Sequence, residues 1–178
     1  MKNTEVITLG AGCFWCIEAI LIELKGVLSV QSGYTGGIIP NPTYKEVCNG
    51  QTGHAEVAQI IYDPKLIGVE EILEVFFTIH DPTTLNRQGN DIGTQYRSAI
   101  FYSNIEHKYI SEQIIERLNA DEAFPNKIVT EVTELGSFYV AEEYHQNYLD
   151  NNGDNPYCQM IVRPKLEKFR LAFPHRIK

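Results

Sequence analysis

The chain has 178 residues, of which 43% are hydrophobic, and it carries a formal net charge of −8 at pH 7. This length and composition are typical of one globular domain and argue against a disordered chain. The acidic charge and the lack of any Lys/Arg run make nucleic acid and anionic membranes poor partners, and no stretch has the roughly 20 apolar residues of a membrane span.

In chain order, the sequence predicts a short buried strand at residues 6–9, a tight turn at 10–12 and an amphipathic helix that begins at Cys13. A second strand follows at 27–30, and the glycines of residues 33–37 predict a loop. The remaining predicted elements are a helical turn at 43–48, strands at 57–62, 96–102 and 128–132, helices at 69–79, 104–118 and 141–149, and a tail with an extended piece at 158–162 and a short helix at 164–169.

The longest predicted irregular segment covers residues 80–95, and its varied polar side chains favour a functional loop. The interleaved helices and short strands predict a single α+β catalytic domain that covers residues 1–178. We expect a two-layer sandwich with a ferredoxin-like core and long loops, in which helices pack against a mixed or mostly antiparallel sheet. A doubly wound parallel sheet fits less well, because the long loops interrupt the alternation of strands and helices.

The four cysteines do not form the pattern of a disulfide scaffold, and the N-terminal residues contain no apolar signal core. We therefore expect a cytoplasmic protein whose thiols are reactive. Cys13 and Cys16 form a C-x-x-C pair, whereas Cys48 and Cys158 stand alone. Structural zinc needs four ligands, which commonly come from two such pairs, so we expect no metal site and no cofactor.

The C-x-x-C pair is placed where the first helix begins. Free backbone N–H groups at a helix N-terminus favour an anion and lower the pKa of a cysteine there. Phe14 and Trp15 follow Cys13 directly and would give the thiol an apolar wall. We therefore predict a reactive thiol beside an apolar pocket. Two alternatives remain open: a thioredoxin-like disulfide oxidoreductase that uses Cys13 and Cys16, and a group of core residues without a catalytic role.

Glu56 precedes the apolar strand at 57–62, where loss of hydration would raise the pKa of its carboxyl group towards neutrality. Such a group can donate a proton, although a solvated glutamate at a strand end is the more common case. Asp91, Tyr96 and His145 also have ordinary structural interpretations, and each signal is weak when taken alone.

Together these stretches resemble the A-class peptide methionine sulfoxide reductases over nearly the whole chain. GCFW followed by GHAE and GNDxGTQYRS, in this order, is highly specific to that family. The matching blocks are GCFWCIEA at 12–19, GYTGG at 33–37, NPTYKEVCNGQTGHAE at 41–56, DPTTLNRQGNDIGTQYRS at 81–98 and AEEYHQNYL at 141–149.

The resemblance implies thiol-dependent reduction of methionine S-sulfoxide, free or in proteins, to methionine. Cys13 matches the nucleophile that attacks the sulfoxide sulfur, and Glu56 matches the acid that protonates its oxygen. One group would then be charged and the other neutral. The other matches are Tyr44 and Tyr96 for binding that oxygen, Phe14 and Trp15 for the pocket around the substrate methyl group, and Asp91 and His145 for polar groups near the substrate backbone.

The resemblance also implies that Cys13 becomes a sulfenic acid, which a second cysteine converts to a disulfide that thioredoxin or a similar dithiol reduces. Many family members have another residue in place of Cys16 and two cysteines in a glycine-rich tail. Here the candidates for the resolving cysteine are Cys16 and Cys158, and we favour Cys16 slightly because residues around Cys158 have a packed character. We interpret Cys48 as a buried residue without a role, and we expect a monomer. A non-enzymatic protein that only binds oxidised methionine is a third alternative, but binding needs neither Cys13 nor Glu56.

Overall fold

A six-stranded sheet with helices packed against it dominates the computed structural model, which describes residues 3–178. The strands are β1 (Glu5–Ala11), β2 (Val27–Thr35), β3 (Ala55–Tyr62), β4 (Arg87–Gln88), β5 (Asp91–Ile92), β6 (Ser98–Tyr102), β7 (Glu131–Glu134) and β8 (Tyr139–Val140). The helices are α1 (Phe14–Leu21), α2 (Tyr44–Cys48), α3 (Val69–Ile79), α4 (Ile105–Ala120), α5 (Tyr148–Asn151) and α6 (Arg163–Ala172). Single 3₁₀ turns cover Thr94–Tyr96 and Glu143–His145, and a π-helix covers Cys158–Val162.

The strand order in the large sheet is β7-β6-β1-β3-β2-β8, and only the pair of β6 and β7 is parallel. The four central strands, β6-β1-β3-β2, are connected through α1 and α3, and each pair of neighbours among these four is antiparallel. This is the arrangement of a ferredoxin-like core, so the predicted α+β fold with a mixed sheet is confirmed. Strands β4 and β5 form a separate two-stranded pair.

The core forms between one face of the sheet and the apolar faces of the helices. Alternate residues of β1, Ile7 and Leu9, are fully buried, as are Ile72, Val75 and Phe76 of α3. The periodicity of residues 69–79 predicted this helix because its apolar side chains recur every three to four residues. No helix between residues 3 and 178 is long and apolar enough to cross a membrane.

The predicted loop at residues 33–37 is wrong for its first half, because β2 continues through Thr35. Glycine was interpreted as a turn signal here, but Gly33 lies inside the strand. A Cβ atom at Gly33 would lie 2.5 Å from the ring of Phe138, which covers this strand. The glycine therefore allows a close approach between neighbouring parts of the chain rather than ending the strand.

The predicted strand at 128–132 is displaced towards the C-terminus. The backbone N–H groups of Ile128 and Val129 donate to the Asn119 side chain and to the Pro82 carbonyl, so neither group pairs with the sheet. Only Glu131–Glu134 pair with β6. The predicted irregular segment 80–95 contains the short β4–β5 pair, and Tyr96 belongs to the following 3₁₀ turn rather than to β6.

The predicted helix at 141–149 is also wrong, because tertiary contacts divide the segment into a 3₁₀ turn at Glu143–His145 and the start of α5. Strand β8 pairs with β2, and the Gln146 side chain bonds the N–H and carbonyl groups of Ser32. Asn147 then adopts a left-handed conformation with a φ of 51°, which ends any continuous helix. The tail at 158–162 is helical rather than extended, because Cys158 and Val162 continue the buried face of α6.

Candidate active site

Cys13 lies between the end of β1 and the start of α1, where it is the N-cap residue. Gly12 permits this turn because its φ of 88° is left-handed, and a Cβ atom there would lie 2.8 Å from the side chain of Gln88. Cys13 is 9% exposed, so the thiol is nearly enclosed. The predicted position of this thiol at the start of a helix is confirmed.

Glu56 belongs to β3 and is 1% exposed. Its Oε1 accepts a hydrogen bond of 3.2 Å from the backbone N–H of Phe14, so the acid lies against the turn that carries Cys13. Burial raises the pKa of Glu56 to about 8, and the charges of Asp91 and Cys16 act in the same direction, whereas the Phe14 N–H opposes them. The predicted rise in this pKa is confirmed, and the carboxyl group holds its proton at neutral pH.

The thiol pair does not behave as the helix position predicts. Burial raises the pKa of Cys13 well above its usual value, and the hydrogen bond with Cys16 and the charge of Glu56 raise it further. The Trp15 N–H opposes this rise, but loss of hydration outweighs it, so the predicted lowering of the Cys13 pKa is wrong. The hydrogen bond from Cys13 lowers the pKa of Cys16. At rest, Cys13 is therefore a protonated thiol.

Phe14 and Trp15 build an aromatic wall beside this thiol. The Phe14 ring is fully buried, and its centre lies 5.7 Å from the ring of Tyr34 and 5.1 Å from that of His145. The Trp15 ring stacks on Tyr148 with a spacing of 3.7 Å and an angle of 4°. These contacts fix the apolar pocket that the sequence predicts.

His145 is 1% exposed and lies in the 3₁₀ turn Glu143–His145. Its Nδ1 accepts a hydrogen bond of 3.0 Å from Trp15 Nε1, so in the neutral ring the hydrogen is on Nε2. Burial lowers the pKa of His145, which favours that neutral form. Nε2 has no hydrogen-bond partner within residues 3–178, and the ring centre of Tyr44 lies 4.3 Å away. The site therefore holds a buried N–H donor that a substrate can use.

Tyr44 and Tyr96 both lie close to the acid. Burial raises the pKa of each hydroxyl above its usual range, and the charge of Glu56 is the second cause for both. Both hydroxyls are therefore protonated donors. Cys48, interpreted above as a buried bystander, is instead exposed, because it ends the short surface helix α2.

Asp91 occupies β5, at the edge of the site, where its Oδ2 accepts a hydrogen bond of 2.7 Å from the hydroxyl group of Tyr157. Tyr157 also helps to lower the pKa of the Cys16 thiol. Burial raises the Tyr157 pKa, and the charges of Cys13 and Cys16 raise it further. The structure thus connects Asp91 to the surroundings of the two cysteines through Tyr157.

A sequence model of the family described as "Peptide methionine sulfoxide reductase" matches residues 5–177. The chain belongs to this family. The peptide methionine sulfoxide reductase MsrA of Saccharolobus solfataricus is 53% identical over 174 residues, which cover 98% of this chain and 97% of the relative. Membership confirms the predicted activity class, a thiol-dependent oxidoreductase that acts on methionine sulfoxide in peptides.

Two solved structures of Mxr1 from Saccharomyces cerevisiae are similar to this chain. The reduced form is 40% identical with a TM-score of 0.80, and the match covers 88% of this chain and 90% of that one. The complex of Mxr1 with Trx2 is 29% identical with a TM-score of 0.58, and the match covers 82% and 85% of the two chains. The fold of this peptide methionine sulfoxide reductase is therefore shared by solved family members.

The two candidates for the resolving cysteine of the reductase lie on one side of the nucleophile. Cys16 is 4% exposed and Cys158 is fully buried, and they share an apolar cluster with Val162. The backbone N–H of Cys16 donates a hydrogen bond of 3.2 Å to the carbonyl of Cys13, one helical turn away. All four cysteines are free thiols in this structure.

Three residues that support the reductase site were missed by sequence reasoning. Glu142 accepts hydrogen bonds from the Tyr34 hydroxyl at 2.9 Å and from the Tyr44 N–H at 3.0 Å, and so connects two walls of the site. Tyr148 and Tyr157 contact the two sides of Trp15. Only Tyr157 had a local signal, its position beside a tail cysteine. Among residues 3–178, no group of three or more His, Cys, Asp or Glu side chains is placed to hold a metal ion.

Proposed function

We propose that the protein reduces methionine S-sulfoxide, free or in polypeptides, with Cys13 as the nucleophile and Glu56 as the proton donor. The observation that carries this proposal is the hydrogen bond of 3.2 Å from the Phe14 N–H to the Glu56 carboxyl group, which places the acid beside the nucleophile. A carboxyl group with a pKa of about 8 is protonated at neutral pH and can deliver that proton to a sulfoxide oxygen.

The proposed chemistry balances without any further reactant. Glu56 gives its proton to the sulfoxide oxygen while the sulfur of Cys13 attacks the sulfoxide sulfur, and the Cys13 proton replaces the one that Glu56 lost. The sulfur–oxygen bond of the substrate then breaks as oxygen passes to Cys13. One thiol and one sulfoxide become one sulfenic acid and one thioether, methionine.

The remaining predicted residues have roles that their geometry supports. Tyr44 and Tyr96 are protonated donors close to Glu56, which suits them to bind the sulfoxide oxygen. Phe14 and Trp15 would enclose the methyl group. His145 would use its unpartnered Nε2–H at the substrate backbone, and Asp91, which accepts from Tyr157, would act at the edge of the same region.

We propose Cys16 as the first resolving cysteine, because its backbone N–H donates a hydrogen bond of 3.2 Å to the Cys13 carbonyl one helical turn away, and each of the two thiols alters the pKa of the other. Attack of its sulfur on the sulfenic acid forms a Cys13–Cys16 disulfide and releases water. Cys158 is the alternative, and it is fully buried in the same apolar cluster as Cys16.

A dithiol of the thioredoxin kind is the proposed reductant, since the yeast relative has been solved in complex with Trx2. Exchange with that dithiol would restore both cysteines.

We also propose a cytoplasmic location, which suits four free thiols. We propose that residues 1–178 act as a single-domain monomer, without membrane or nucleic-acid partners.

The decisive experiment supplies each diastereomer of methionine sulfoxide with dithiothreitol. The protein should consume the S form alone, and consumption of only the R form, or of neither, would refute the proposal. Cys13→Ser should abolish turnover, with Cys48→Ser as the matched control, which should keep its activity within about threefold because Cys48 is exposed and forms no part of the proposed chemistry. Activity that survived in Cys13→Ser would show that another residue is the nucleophile.

A further inference from the structure

Glu18 takes no part in the chemistry proposed above, yet its carboxyl group is buried. It follows Cys16 by two residues on α1 and is 3% exposed. A buried carboxylate is costly unless its oxygens are hydrogen-bonded. One Glu18 oxygen accepts from the Asn147 N–H at 2.8 Å and the other accepts from the Tyr148 N–H at 3.5 Å. The side chain is therefore used to hold a distant part of the backbone.

The segment that Glu18 holds cannot maintain its own conformation. Asn147 is in a left-handed conformation, and the α5 helix that follows has only four residues. A helix this short gains little from its internal hydrogen bonds, and its first N–H groups have no partner within the helix. The Glu18 carboxylate supplies the partner for two of these groups.

The same segment carries two side chains that fix the indole ring of Trp15. His145 accepts the hydrogen bond from Trp15 Nε1 at 3.0 Å, and the Tyr148 ring stacks on the indole ring at 3.7 Å. Glu18 and Trp15 lie on the same helix, so the Glu18 contact closes a loop between α1 and residues 145–148. Gln146 anchors the other side of the segment to Ser32 and would remain if Glu18 were changed.

We propose that Glu18 is a positioning residue, which holds His145 and Tyr148 against Trp15 and thereby sets the size of the pocket for the substrate methyl group. This inference rests on the proposed function, because it assumes that Trp15 encloses that methyl group. The Glu18 side chain itself does not touch the reacting atoms. Its loss should therefore loosen substrate selection more than it slows the chemical step.

The test variant is Glu18→Gln, which keeps the size of the side chain but places an NH₂ group against one of the two N–H donors. The matched control is Glu143→Gln, because Glu143 lies in the same segment, is exposed, and has no side-chain hydrogen bond within residues 3–178. Both proteins are assayed for reduction of methionine S-sulfoxide and of its S-ethyl homologue, ethionine sulfoxide. Trp15 is the only tryptophan in the chain, so quenching of its fluorescence by acrylamide reports on the same pocket.

We expect Glu18→Gln to raise KM for methionine sulfoxide about tenfold while kcat changes less than about threefold, since the hydrogen bonds lost act on binding geometry. Its preference for the methyl over the ethyl substrate should fall by about the same factor, and Trp15 should become more accessible to acrylamide. The control should match the wild type in all three measurements. A variant that only destabilised the fold would lower the rates for both substrates equally and would leave their ratio unchanged.

A folded Glu18→Gln variant with unchanged KM, substrate ratio and quenching would overturn the inference. If that variant does not fold, Glu18→Asp keeps the charge and shortens its reach, and the same changes are expected. Failure of both variants to fold would also overturn the inference, because it would assign Glu18 to the core. A wild type that reduces neither sulfoxide would instead refute the proposed function.

Discussion

Replacement of Glu56 by glutamine tests the central electrostatic feature of the site. The amide keeps an oxygen that can accept from the Phe14 N–H, but it is neutral at every pH and cannot donate an acidic proton. The folded wild type holds a proton up to a pH of about 8, whereas the unfolded chain loses it at its ordinary pKa of 4.5. Between these values the unfolded state binds fewer protons, so the wild type loses stability as the pH rises.

The size of this loss follows from the two pKa values. It amounts to about 1 kcal/mol at pH 5 and about 3 kcal/mol at pH 7, at 1.36 kcal/mol per pKa unit. The Glu56→Gln variant does not have this penalty. Its free energy of unfolding should therefore exceed that of the wild type by an amount that grows by about 2 kcal/mol between pH 5 and pH 7. Its kcat/KM should fall by about 10²–10⁴-fold, as expected for a lost general acid.

The assay is urea denaturation followed by far-UV circular dichroism at several pH values in this range. Burial lowers the pKa values of His80 and His145, and their protonation also changes stability with pH. Both histidines are present in both proteins, so their contribution cancels in the difference. A difference in unfolding free energy that stays constant from pH 5 to pH 7 would show that Glu56 is ionised at neutral pH, and the proposed proton transfer would then be wrong.

Three further outcomes are expected. In single-turnover measurements, kcat/KM should fall as the pH rises through about 8, because Glu56 loses its proton there; a rate that keeps rising would exclude it as the acid. After one turnover, peptide mapping of Cys158→Ser should still find a disulfide between Cys13 and Cys16, whereas Cys16→Ser should retain a sulfenic acid that dimedone traps. A disulfide from Cys13 to Cys158 in the wild type, with Cys16 free, would reverse this assignment. Tyr157→Phe removes the 2.7 Å hydrogen bond to Asp91, whose charge raises the Glu56 pKa. The fall in kcat/KM at alkaline pH should therefore move to higher pH. An unchanged pH profile would show that the Tyr157–Asp91 pair does not influence the Glu56 pKa.

The sequence predicts most reliably those elements in which each face meets a single environment along the whole length of the element. The helix at 69–79 was predicted with its correct bounds because its apolar face packs on the sheet and its polar face meets solvent. The segment 141–149 has good helix-forming residues, but Gln146 hydrogen-bonds to β2 and Asn147 adopts a left-handed conformation. Neither feature produces a recognisable pattern in the local sequence. Long-range contacts therefore decide the structure of this segment.

The same distinction applies to the candidate site. The motif blocks predict Cys13 as the nucleophile and Glu56 as the acid, because both lie in short, specific stretches of sequence. Glu142, Tyr148 and Tyr157 were not identified, since each acts through a partner that is distant in the chain. The resolving cysteine could not be assigned from sequence spacing alone, whereas the mutual effect of the Cys13 and Cys16 thiols on each other's pKa gives a physical reason to prefer one candidate.

The structure also changes how the nucleophile and the acid are expected to work together. The helix position of Cys13 suggests a permanent thiolate beside a neutral acid, but burial raises both pKa values, so both groups hold protons at rest. The thiolate is the form of cysteine that oxidants attack, so a buried thiol is protected while no substrate is bound. A bound sulfoxide supplies the missing proton acceptor: it takes the proton of Glu56, and Glu56 can then accept that of Cys13. Cys13 and Glu56 together lose only one proton, the one that is delivered to the substrate oxygen. The reactivity of Cys13 therefore depends on the presence of that oxygen.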